Sequence, residues 1–366
     1  MRDVDVVIVG AGPAGCATAI NLAPFQRVLL VERRAEVAPR VGESLVPAAR
    51  RLFADMGLLE SFLQEQHEPW YGNRSVWGSS EPEERDFLRD PDGHGWHLDR
   101  PRFESWLRAL AQERGAELLS PAMLDDLQRH DEKWIVRLKT DQNPIEVTAR
   151  FVIDAGGQFA PLVRKFGQKS RVLENLVCCY LYGRDEATGA RGLTYVQAVR
   201  NGWFYTAPIP HGRRILAFHT DADLHDKRHG VIEWLEEAPG LSSLLANVRF
   251  VPDDETFITS ARSAVLATPA GDGWLAVGDG AMSFDPLSSQ GLFNALFTGL
   301  AAAEAVDSHL KGNQLSLTQY HHITRAIFEA YQQKLSATYA AERRWPDAPF
   351  WQRRTVGPQK GTKLTK

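Results

Sequence analysis

The sequence contains few cysteines, which excludes a fold held together by a framework of disulfide bonds. Its three cysteines are Cys16, Cys178 and Cys179, too few for such a framework. Cys16 directly follows a glycine turn and is expected to be a small buried residue. The adjacent pair lies in a segment that reads as a strand. The histidines have no carboxylate or thiolate neighbours at metal-ligand spacing, so no metal site is predicted.

Long apolar runs and a strong net charge are also missing. No apolar run reaches the roughly 18 residues that a membrane-spanning helix needs, so no membrane partner is expected. The net charge of −4 over 366 residues gives no indication of a nucleic-acid partner. The first strand begins almost at the N-terminus and leaves no room for a signal peptide, so a cytoplasmic location is the default expectation. The length suits two structural units.

The glycine loop near the N-terminus organises the rest of the chain. The apolar, mostly β-branched run 6–9 predicts a buried parallel strand, and Gly10-x-Gly12-x-x-Gly15 and a helix-forming run follow it. Gly10 permits a tight turn, Gly12 lets the backbone approach a pyrophosphate, and Gly15 allows close helix packing. Glu32 ends the second strand, at the spacing of the acid that binds ribose hydroxyls. These features predict a dinucleotide site.

The next part of the chain contains one expected helix and one aromatic segment. Apolar residues recur at helical spacing from about 48 to 63, which predicts a single helix. The segment 68–99 has neither helical nor strand periodicity and contains Trp70, Trp77 and Trp96. Two interpretations stay open for these rings: they line a site for a planar substrate, or they pack the core of a small sheet.

The C-terminal third repeats the pattern of a buried strand followed by a glycine turn. Gly278-Asp279 ends such a strand, and the loop 285–291 leads into a long helix, 292–310. A further helix is expected from about 318 to 344. The aromatic and basic segment 343–354 could dock a partner or could fold back and bury its rings.

Four segments form a wider pattern. They are Gly10-x-Gly12-x-x-Gly15 with Glu32, Gly42-Glu43-Ser44-Leu45-Val46-Pro47, Asp154-Ala155-Gly156-Gly157, and Gly278-Asp279 with Asp285-Pro286-Leu287 and Gly291. Together they resemble the flavoprotein monooxygenases of the p-hydroxybenzoate hydroxylase fold, a superfamily that includes the flavin-dependent halogenases. The resemblance implies an α/β fold, in which a Rossmann-like FAD-binding domain is interleaved with an antiparallel-sheet substrate domain. The implied boundaries are 1–68, 100–170 and 262–315 for the FAD-binding domain, 69–99 and 171–261 for the substrate domain, and 316–366 for a C-terminal helix and tail.

The same resemblance implies FAD bound without a covalent link. Glu32 would hold the adenosine ribose, Arg100 the adenosine-diphosphate part, and Asp279 the ribityl chain. The loop from Pro286 to Gly291 would place backbone amides near the flavin ring and the position that reacts with oxygen. The expected FAD-binding residues are Gly10, Gly12, Pro13, Ala14, Gly15, Glu32, Arg33, Arg40, Ser44, Arg100, Asp279, Pro286, Ser289, Gln290, Gly291 and Leu292.

Hydroxylation of an aromatic ring by a flavoprotein needs few special side chains, because the cofactor carries out the difficult step. An indole ring needs no deprotonation before attack, so a base would help only when the ring rearomatises. Glu43, His97 and Asp99 are the titratable candidates for such a group, but none has a spacing that proves the role, and a structural hydrogen-bonding role is the simpler interpretation of each. The residues expected at the reacting centre are Pro286, Gly291, Glu43 and His97.

Two departures from the superfamily pattern bear on the reaction. Halogenases of this kind use a lysine after the Gly-Glu-Ser-Leu segment to capture hypohalous acid, whereas the first lysine here is Lys133. The halogenase Trp-x-Trp-x-Ile-Pro motif is distorted to Trp203-x-Tyr205-Thr206-Ala207-Pro208. Both differences argue against halogenation. The segment Asp154-Ala155-Gly156-Gly157 also lacks the strict Asp-Gly pattern of phenol hydroxylases that use NADPH, so the reductant is left open.

Further motifs narrow the resemblance. They are Ser75-Val76-Trp77-Gly78-Ser79, Gly95-Trp96-His97-Leu98-Asp99-Arg100, and Arg343-Arg344-Trp345 with Phe350-Trp351. They look like the flavoproteins that mature cysteine tryptophylquinone cofactors in partner enzymes. That group implies hydroxylation of a tryptophan in a precursor protein, an apo quinone-dependent oxidase or dehydrogenase subunit, with O2 as co-substrate. The electron donor, NAD(P)H or a separate flavin reductase, stays open.

Three functional hypotheses follow. The first is an FAD monooxygenase that acts on a protein-bound tryptophan. The second is a tailoring hydroxylase or halogenase of a small or carrier-bound aromatic. The third is a flavin-bound escort protein that binds an apo-enzyme without oxidising it.

Overall fold

The structure is a computed structural model that describes residues 2–187, 192–226 and 230–355; the expected C-terminal tail beyond 355 lies outside the described residues. The strands are β1 (Arg2–Val9), β2 (Val28–Val31), β3 (Ser44–Leu45), β4 (Glu68–Trp70), β5 (Gly72–Val76), β6 (Glu83–Asp86), β7 (Gly95–His97), β8 (Glu117–Leu119), β9 (Ala122–His130), β10 (Lys133–Thr140), β11 (Ile145–Asp154), β12 (Ser170–Val172), β13 (Leu176–Asp185), β14 (Leu193–Val199), β15 (Gly202–Ile209), β16 (Arg213–Asp221), β17 (Phe250–Ser260), β18 (Ala264–Leu266), β19 (Ala270–Gly271), β20 (Trp274–Ala276) and β21 (Met282–Ser283). The helices are α1 (Pro13–Leu22), α2 (Ala49–Asp55), α3 (Leu59–Gln64), α4 (Arg100–Glu113), α5 (Pro161–Lys165), α6 (Pro239–Asn247), α7 (Gly291–Leu310), α8 (Ser316–Ala341) and α9 (Pro349–Thr355).

The chain divides into two compact units. Unit 1 comprises the described residues within Met1–His67, Leu98–Leu173 and Arg262–Phe328. Unit 2 comprises those within Glu68–His97, Glu174–Ala261 and Glu329–Lys366.

Unit 1 is built on a sheet whose central strands are parallel. The strand order is β19-β20-β11-β1-β2-β8, and β9 and β10 extend it through antiparallel pairing of β10 with β11. β1 lies parallel to both β2 and β11, so the carboxyl ends of these strands meet at one edge of the sheet. β11 is one continuous strand, Ile145–Asp154, which pairs with β10 near its start and with β1 along most of its length. The edge carries Gly10, Glu32 and Asp154, which positions the candidate site.

The helix expected over 48–63 is broken in two, so this prediction was wrong in its continuity. α2 ends at Asp55 and α3 begins at Leu59. Gly57 lies between them with a φ of +68°, a left-handed conformation that interrupts an α-helix. The apolar face itself is confirmed, because Phe53 and Phe62 are buried and their ring centroids lie 4.3 Å apart.

Unit 2 contains a seven-stranded sheet in the order β17-β13-β16-β15-β14-β5-β6. Every neighbouring pair is antiparallel except β14 and β5. Its main apolar cluster consists of Val76, Cys179, Leu181, Tyr195, Val199, Phe204, Leu216, Phe218, Val231, Ala238, Leu241 and Leu245. Trp70 and Trp96 are also buried, so core packing is the interpretation that fits these two rings.

The C-terminal aromatic segment folds back onto unit 2. Phe350 and Trp351 are fully buried, and the Trp351 Nε1 group donates a hydrogen bond of 3.0 Å to the carbonyl oxygen of Val199. Arg354 pairs with the buried carboxylate of Asp221 at 2.6 Å. Of the two alternatives for this segment, folding back is therefore confirmed. Among the residues with described positions, no helix is both long and apolar enough to cross a membrane.

Candidate cofactor-binding and active site

The glycine loop after β1 has the geometry that its three glycines predict. Gly10 has a φ of +112°, and a Cβ there would overlap the carbonyl oxygen of Ala155. A Cβ on Gly15 would overlap the carbonyl oxygen of Gly10, because α1 packs directly against the turn. At Gly12 the nearest atom to a Cβ would be Nη2 of Arg40, at 3.5 Å. Backbone atoms therefore crowd the loop at Gly10 and Gly15, whereas at Gly12 the nearby atom belongs to the Arg40 guanidinium.

Glu32 is fixed beside this loop by backbone donors. Its Oε2 accepts from the Ala11 amide at 2.9 Å, and its Oε1 accepts from the Arg34 amide at 3.0 Å. Arg108 from α4 lies 3.6 Å from the same carboxylate. A carboxylate has about four acceptor positions, so two backbone bonds orient the group and leave capacity for ribose hydroxyls.

A charged cluster lies close to Gly12. The Oε1 atom of the buried Glu104 accepts from Nη2 of Arg100 at 2.5 Å and from Nε of Arg40 at 2.8 Å. Burial alone would raise the pKa of Glu104, but the two guanidinium groups outweigh it and hold that pKa below its usual range. Arg100 also donates to the carbonyl oxygen of Gly42 at 2.6 Å. One carboxylate therefore holds two arginines beside the loop, and the Asp279 carboxylate also interacts electrostatically with both of them.

Asp279 and the start of α7 form a further part of unit 1. Asp279 is exposed, yet its surroundings within the fold desolvate it and raise its pKa, and Arg40 and Arg100 oppose that shift. α7 begins at Gly291 without a side-chain cap, and the first amides of such a helix have no intrahelical partner. The loop before it is ordered by Asp285, whose Oδ1 accepts from the Leu287 amide at 2.9 Å.

Asp154 stabilises the turn after β11. Its Oδ1 accepts from the Gly156 amide at 3.0 Å, and its Oδ2 accepts from the Val163 amide at 2.9 Å. Burial raises the pKa of Asp154 to about 6, although these backbone bonds oppose the shift. The Asp-Ala-Gly-Gly segment thus ties β11 to α5, and its aspartate is engaged with the backbone.

The donor set in unit 1 fits a dinucleotide cofactor. Nε of the buried Arg100 has no hydrogen-bond partner among the described residues, and a buried guanidinium donor without an acceptor is costly unless an anion satisfies it. The uncapped start of α7 offers backbone amides, and a Cβ on Gly291 would meet no atom within 4 Å. A pyrophosphate would supply an acceptor for the Arg100 guanidinium, and a flavin carbonyl would supply one for the amides at the start of α7.

Comparison with known proteins identifies the family. The family model for tryptophan halogenases matches residues 5–71 and 80–364. The chain belongs to the tryptophan halogenase family. This halogenase-family chain binds FAD as its cofactor, and its α/β fold with a Rossmann-like FAD-binding domain is confirmed.

Individual proteins agree with this assignment. The chain is 27% identical over 367 residues to the FAD-dependent oxidoreductase LodB of Marinomonas mediterranea, a match that covers 97% of each protein. The myxobacterial chondrochloren halogenase CndH has a similar structure, with a TM-score of 0.88 at 24% identity over 98% of this chain and 87% of that one. The peptidyl tryptophan dihydroxylase QhpG, which is essential for tryptophylquinone cofactor biogenesis, gives a TM-score of 0.77 at 24% identity over 100% of this chain and 81% of that one.

The two candidates for an acid or base lie in different surroundings in this halogenase-family chain. Glu43 in unit 1 is buried, and its Oε2 accepts from the amide of Gly42 at 2.8 Å. His97 in unit 2 is fully buried against Trp70, and neither ring nitrogen has a hydrogen-bond partner among the described residues. Burial lowers the pKa of His97 to about 3, with a smaller contribution from Arg214. His97 is therefore neutral at physiological pH, and a catalytic role for either residue stays a prediction.

The other predicted site residues lie along the same elements of unit 1. Pro13 and Ala14 open α1, Ser44 begins the short strand β3, and Leu292 is the second residue of α7. Arg33 is exposed, with its guanidinium carbon 5.9 Å from the ring centroid of Phe159. Pro286, Ser289 and Gln290 form the turn that precedes α7.

Sequence reasoning missed Glu104 and Arg108. Both lie on α4 with Arg100, at spacings of four residues that place all three side chains on one helical face. This alternation of cation, anion and cation is also typical of an exposed helix, so nothing in the sequence marks Glu104 as buried. Asp99 is the N-cap of α4, because its side chain accepts from the Arg102 amide at 3.1 Å.

Proposed function

We propose that this chain is an FAD-dependent monooxygenase that hydroxylates the indole ring of a tryptophan in a partner protein. The partner is a precursor of a quinone-dependent oxidase or dehydrogenase subunit, and the modification belongs to the biogenesis of a tryptophylquinone cofactor. The co-substrate is O2, and the reducing equivalents come from NAD(P)H or from a separate flavin reductase.

The observation that carries the choice of hydroxylation over halogenation is the absence of lysine before Lys133. Halogenases of this superfamily are expected to need a lysine amine after the Gly-Glu-Ser-Leu segment. The cations in α2 are Arg50 and Arg51, and a guanidinium stays protonated and offers no nucleophilic lone pair. Without the amine, oxygen transfer to the ring is the reaction that the cofactor alone supports.

The similarity to LodB, which is named as an FAD-dependent oxidoreductase, extends over 97% of both proteins and supports an FAD-dependent oxidation. The similarity to QhpG is a likeness of fold, and it makes a peptidyl tryptophan a reasonable substrate to test. Neither comparison identifies the substrate of this chain.

The residues of unit 1 have separate roles in holding the cofactor. Glu32 accepts hydrogen bonds from the adenosine ribose, Arg100 and Arg40 pair with the pyrophosphate, and Asp279 accepts from the ribityl chain. The amides at Gly291 and Leu292 donate to the flavin ring. When bound and reduced, FAD supplies the activation of O2 for transfer of one oxygen atom to an electron-rich ring. The protein's part is to orient that ring and exclude water.

Mass spectrometry of a candidate precursor protein tests the proposal. The precursor is expressed alone, together with the wild-type chain, or together with the Gly12→Asp variant. Gly12 has a φ of −81° and open space for a side chain, so this variant is expected to fold but to repel the pyrophosphate. A gain of one or two oxygen atoms on one tryptophan, seen only with the wild type, is the expected result.

Membership of the tryptophan halogenase family favours one rival, halogenation of a small or carrier-bound aromatic. Halogenation is the correct assignment if the precursor is unchanged while free indoles or pyrroles gain bromine or chlorine in the presence of the halide. A non-oxidising escort would bind the precursor without consuming oxygen. An oxygen electrode separates this third case from both reactions.

A further inference from the structure

The seven-stranded sheet of unit 2 has two terminal strands that differ in character. β6 is four residues long, and its sequence, Glu-Glu-Arg-Asp, is charged and exposed throughout. Short charged edges of this kind are how proteins prevent unwanted strand pairing. β17, at the other end of the sheet, has eleven residues and pairs only with β13 among the described strands.

The backbone of β17 offers hydrogen-bonding groups on its outer side. The amide of Ala261 donates to the carbonyl oxygen of Leu176 at 3.0 Å, so residue 261 points toward β13. Backbone direction alternates along an antiparallel ladder, and the pairs Val177↔Ser260 and Cys179↔Ile258 are in register with it. Therefore the amide and carbonyl groups at 256, 258 and 260 point away from the sheet.

The stretch 256–260 has none of the usual features that protect an edge. Its sequence, Thr-Phe-Ile-Thr-Ser, has no charge and no proline, and the register shift in the ladder lies beyond it, between Leu181 and Gly183. Ile258 is 59% exposed. Phe257 stacks on Tyr180, with ring centroids 5.2 Å apart, which holds the edge strand firmly on the sheet.

The same strand is acidic. Asp253, Asp254 and Glu255 precede the uncharged stretch, and β17 contains no cation. Asp253 forms an ion pair with Arg213. Asp254 and Glu255 are exposed, and neither has an ion pair with any residue that the structure describes. A strand added to this edge would gain from a lysine or arginine placed beside these two carboxylates.

We propose that the outer edge of β17 at 256–260 binds an extended, basic segment of a polypeptide by β-strand addition. Main-chain hydrogen bonds supply the affinity in this mode of recognition, and flanking side chains supply the selectivity. The proposal rests on the proposed function for the identity of the segment, which is a stretch of the precursor protein that carries the target tryptophan. An edge of this kind recognises a peptide backbone, which a free amino acid or small aromatic does not have.

The test uses a probe peptide and the full-length protein with its FAD. The probe is a fluorescent peptide of alternating threonine and valine with one lysine and one tryptophan, and its binding is followed by fluorescence anisotropy. The Ile258→Pro variant removes one outward-facing amide and leaves every β13–β17 hydrogen bond in place, because proline is tolerated on the free side of an edge strand. The matched control, Ile258→Ala, keeps the amide and removes only the apolar side chain.

We expect Ile258→Pro to weaken binding by about tenfold, since it removes a hydrogen bond and obstructs pairing, and Ile258→Ala to weaken it by less than about threefold. A probe with N-methylated backbone amides should bind neither variant nor wild type. Exchange of Asp254 and Glu255 for asparagine and glutamine should reduce the salt dependence of binding. Thermal melting confirms that the proline variant is folded.

Three results would overturn the docking proposal: no binding of the probe by the wild type, equal binding by Ile258→Pro, or equal losses for the proline and alanine variants. Loss of a dimer of this chain in the proline variant would assign the edge to self-association instead. The proposed function fails separately. If the probe binds as expected but the precursor gains no oxygen, the edge binds peptides and the hydroxylase assignment is wrong.

Discussion

Replacement of Glu104 by glutamine tests whether the arginine cluster near Gly12 is built for a pyrophosphate. Glu104 is 3% exposed and receives hydrogen bonds from both Arg40 and Arg100 through one oxygen. Glutamine keeps a neutral acceptor of the same shape but removes the negative charge. The two guanidinium groups then repel each other, and only the exposed carboxylate of Asp279 opposes that repulsion until an anion binds.

The size of the effect follows from burial. Removal of one partner from a buried ion pair costs about 3 to 5 kcal/mol. The pair of Arg100 with Glu104 has side chains that are 8% and 4% exposed, so this cost applies to it. Arg40 is 47% exposed, and solvent screening makes its share small. We therefore expect the free energy of unfolding of the apoprotein to fall by about 3 kcal/mol.

The variant and the wild type are compared by urea denaturation with and without FAD. Because the pyrophosphate replaces the lost charge, FAD should stabilise Glu104→Gln more than it stabilises the wild type. The lowered pKa of Glu104 adds a second check. Its stabilisation is present above the ordinary glutamate range and is lost as the pH falls through the lowered pKa, so the two apoproteins should converge in acid. The control Glu146→Gln, which breaks an exposed pair with Arg137, should change nothing measurable.

One result would refute this reasoning. If FAD stabilises Glu104→Gln by no more than it stabilises the wild type, the two arginines do not meet the pyrophosphate. In that case Glu104 serves only to hold Arg100 against Gly42, and the phosphate site must be sought elsewhere in unit 1.

Two further predictions concern the glycine loop and the response to acid. Gly10→Ala should prevent folding or FAD uptake, because the added Cβ overlaps the backbone. Gly12→Ala should fold normally and bind FAD more weakly. The melting temperature and the FAD content of the two purified variants distinguish these results, and equal behaviour of the two variants would contradict the structure. Burial lowers the pKa of His67 to about 4 and those of His97 and His219 to about 3, so the unfolded chain binds more protons below its ordinary histidine pKa of 6.5. Stability should therefore fall by about 1.2 kcal/mol for each histidine between pH 7 and pH 5.5. Denaturation curves that coincide at these two pH values would exclude this linkage.

The nucleotide-binding part of the fold could be predicted from sequence because its constraints are local. Gly10 occupies a backbone conformation that favours glycine, and Gly15 lies where a Cβ would overlap the chain. Glycine at these two positions therefore indicates the tight turn and the close packing of α1. The broken helix between Asp55 and Leu59 shows the limit of periodicity. A face of apolar residues continues across a left-handed glycine, so the pattern alone does not reveal that the axis has changed.

The charge network of the site could not be derived in the same way, since it depends on distant segments meeting. Arg40 and Glu104 are 64 positions apart, and no local pattern around either residue indicates that the two side chains pair. Arg100, Glu104 and Arg108 lie on one face of α4, but alternating charges at this spacing are also common on exposed helices, so the pattern does not say which partners they meet. In the folded protein Glu104 accepts from Arg100 and Arg40, and Arg108 lies 3.6 Å from Glu32. The physical argument for an anionic ligand is the Nε atom of Arg100, which is buried and has no acceptor among the described residues, and this atom can be recognised only once the distant segments are brought together.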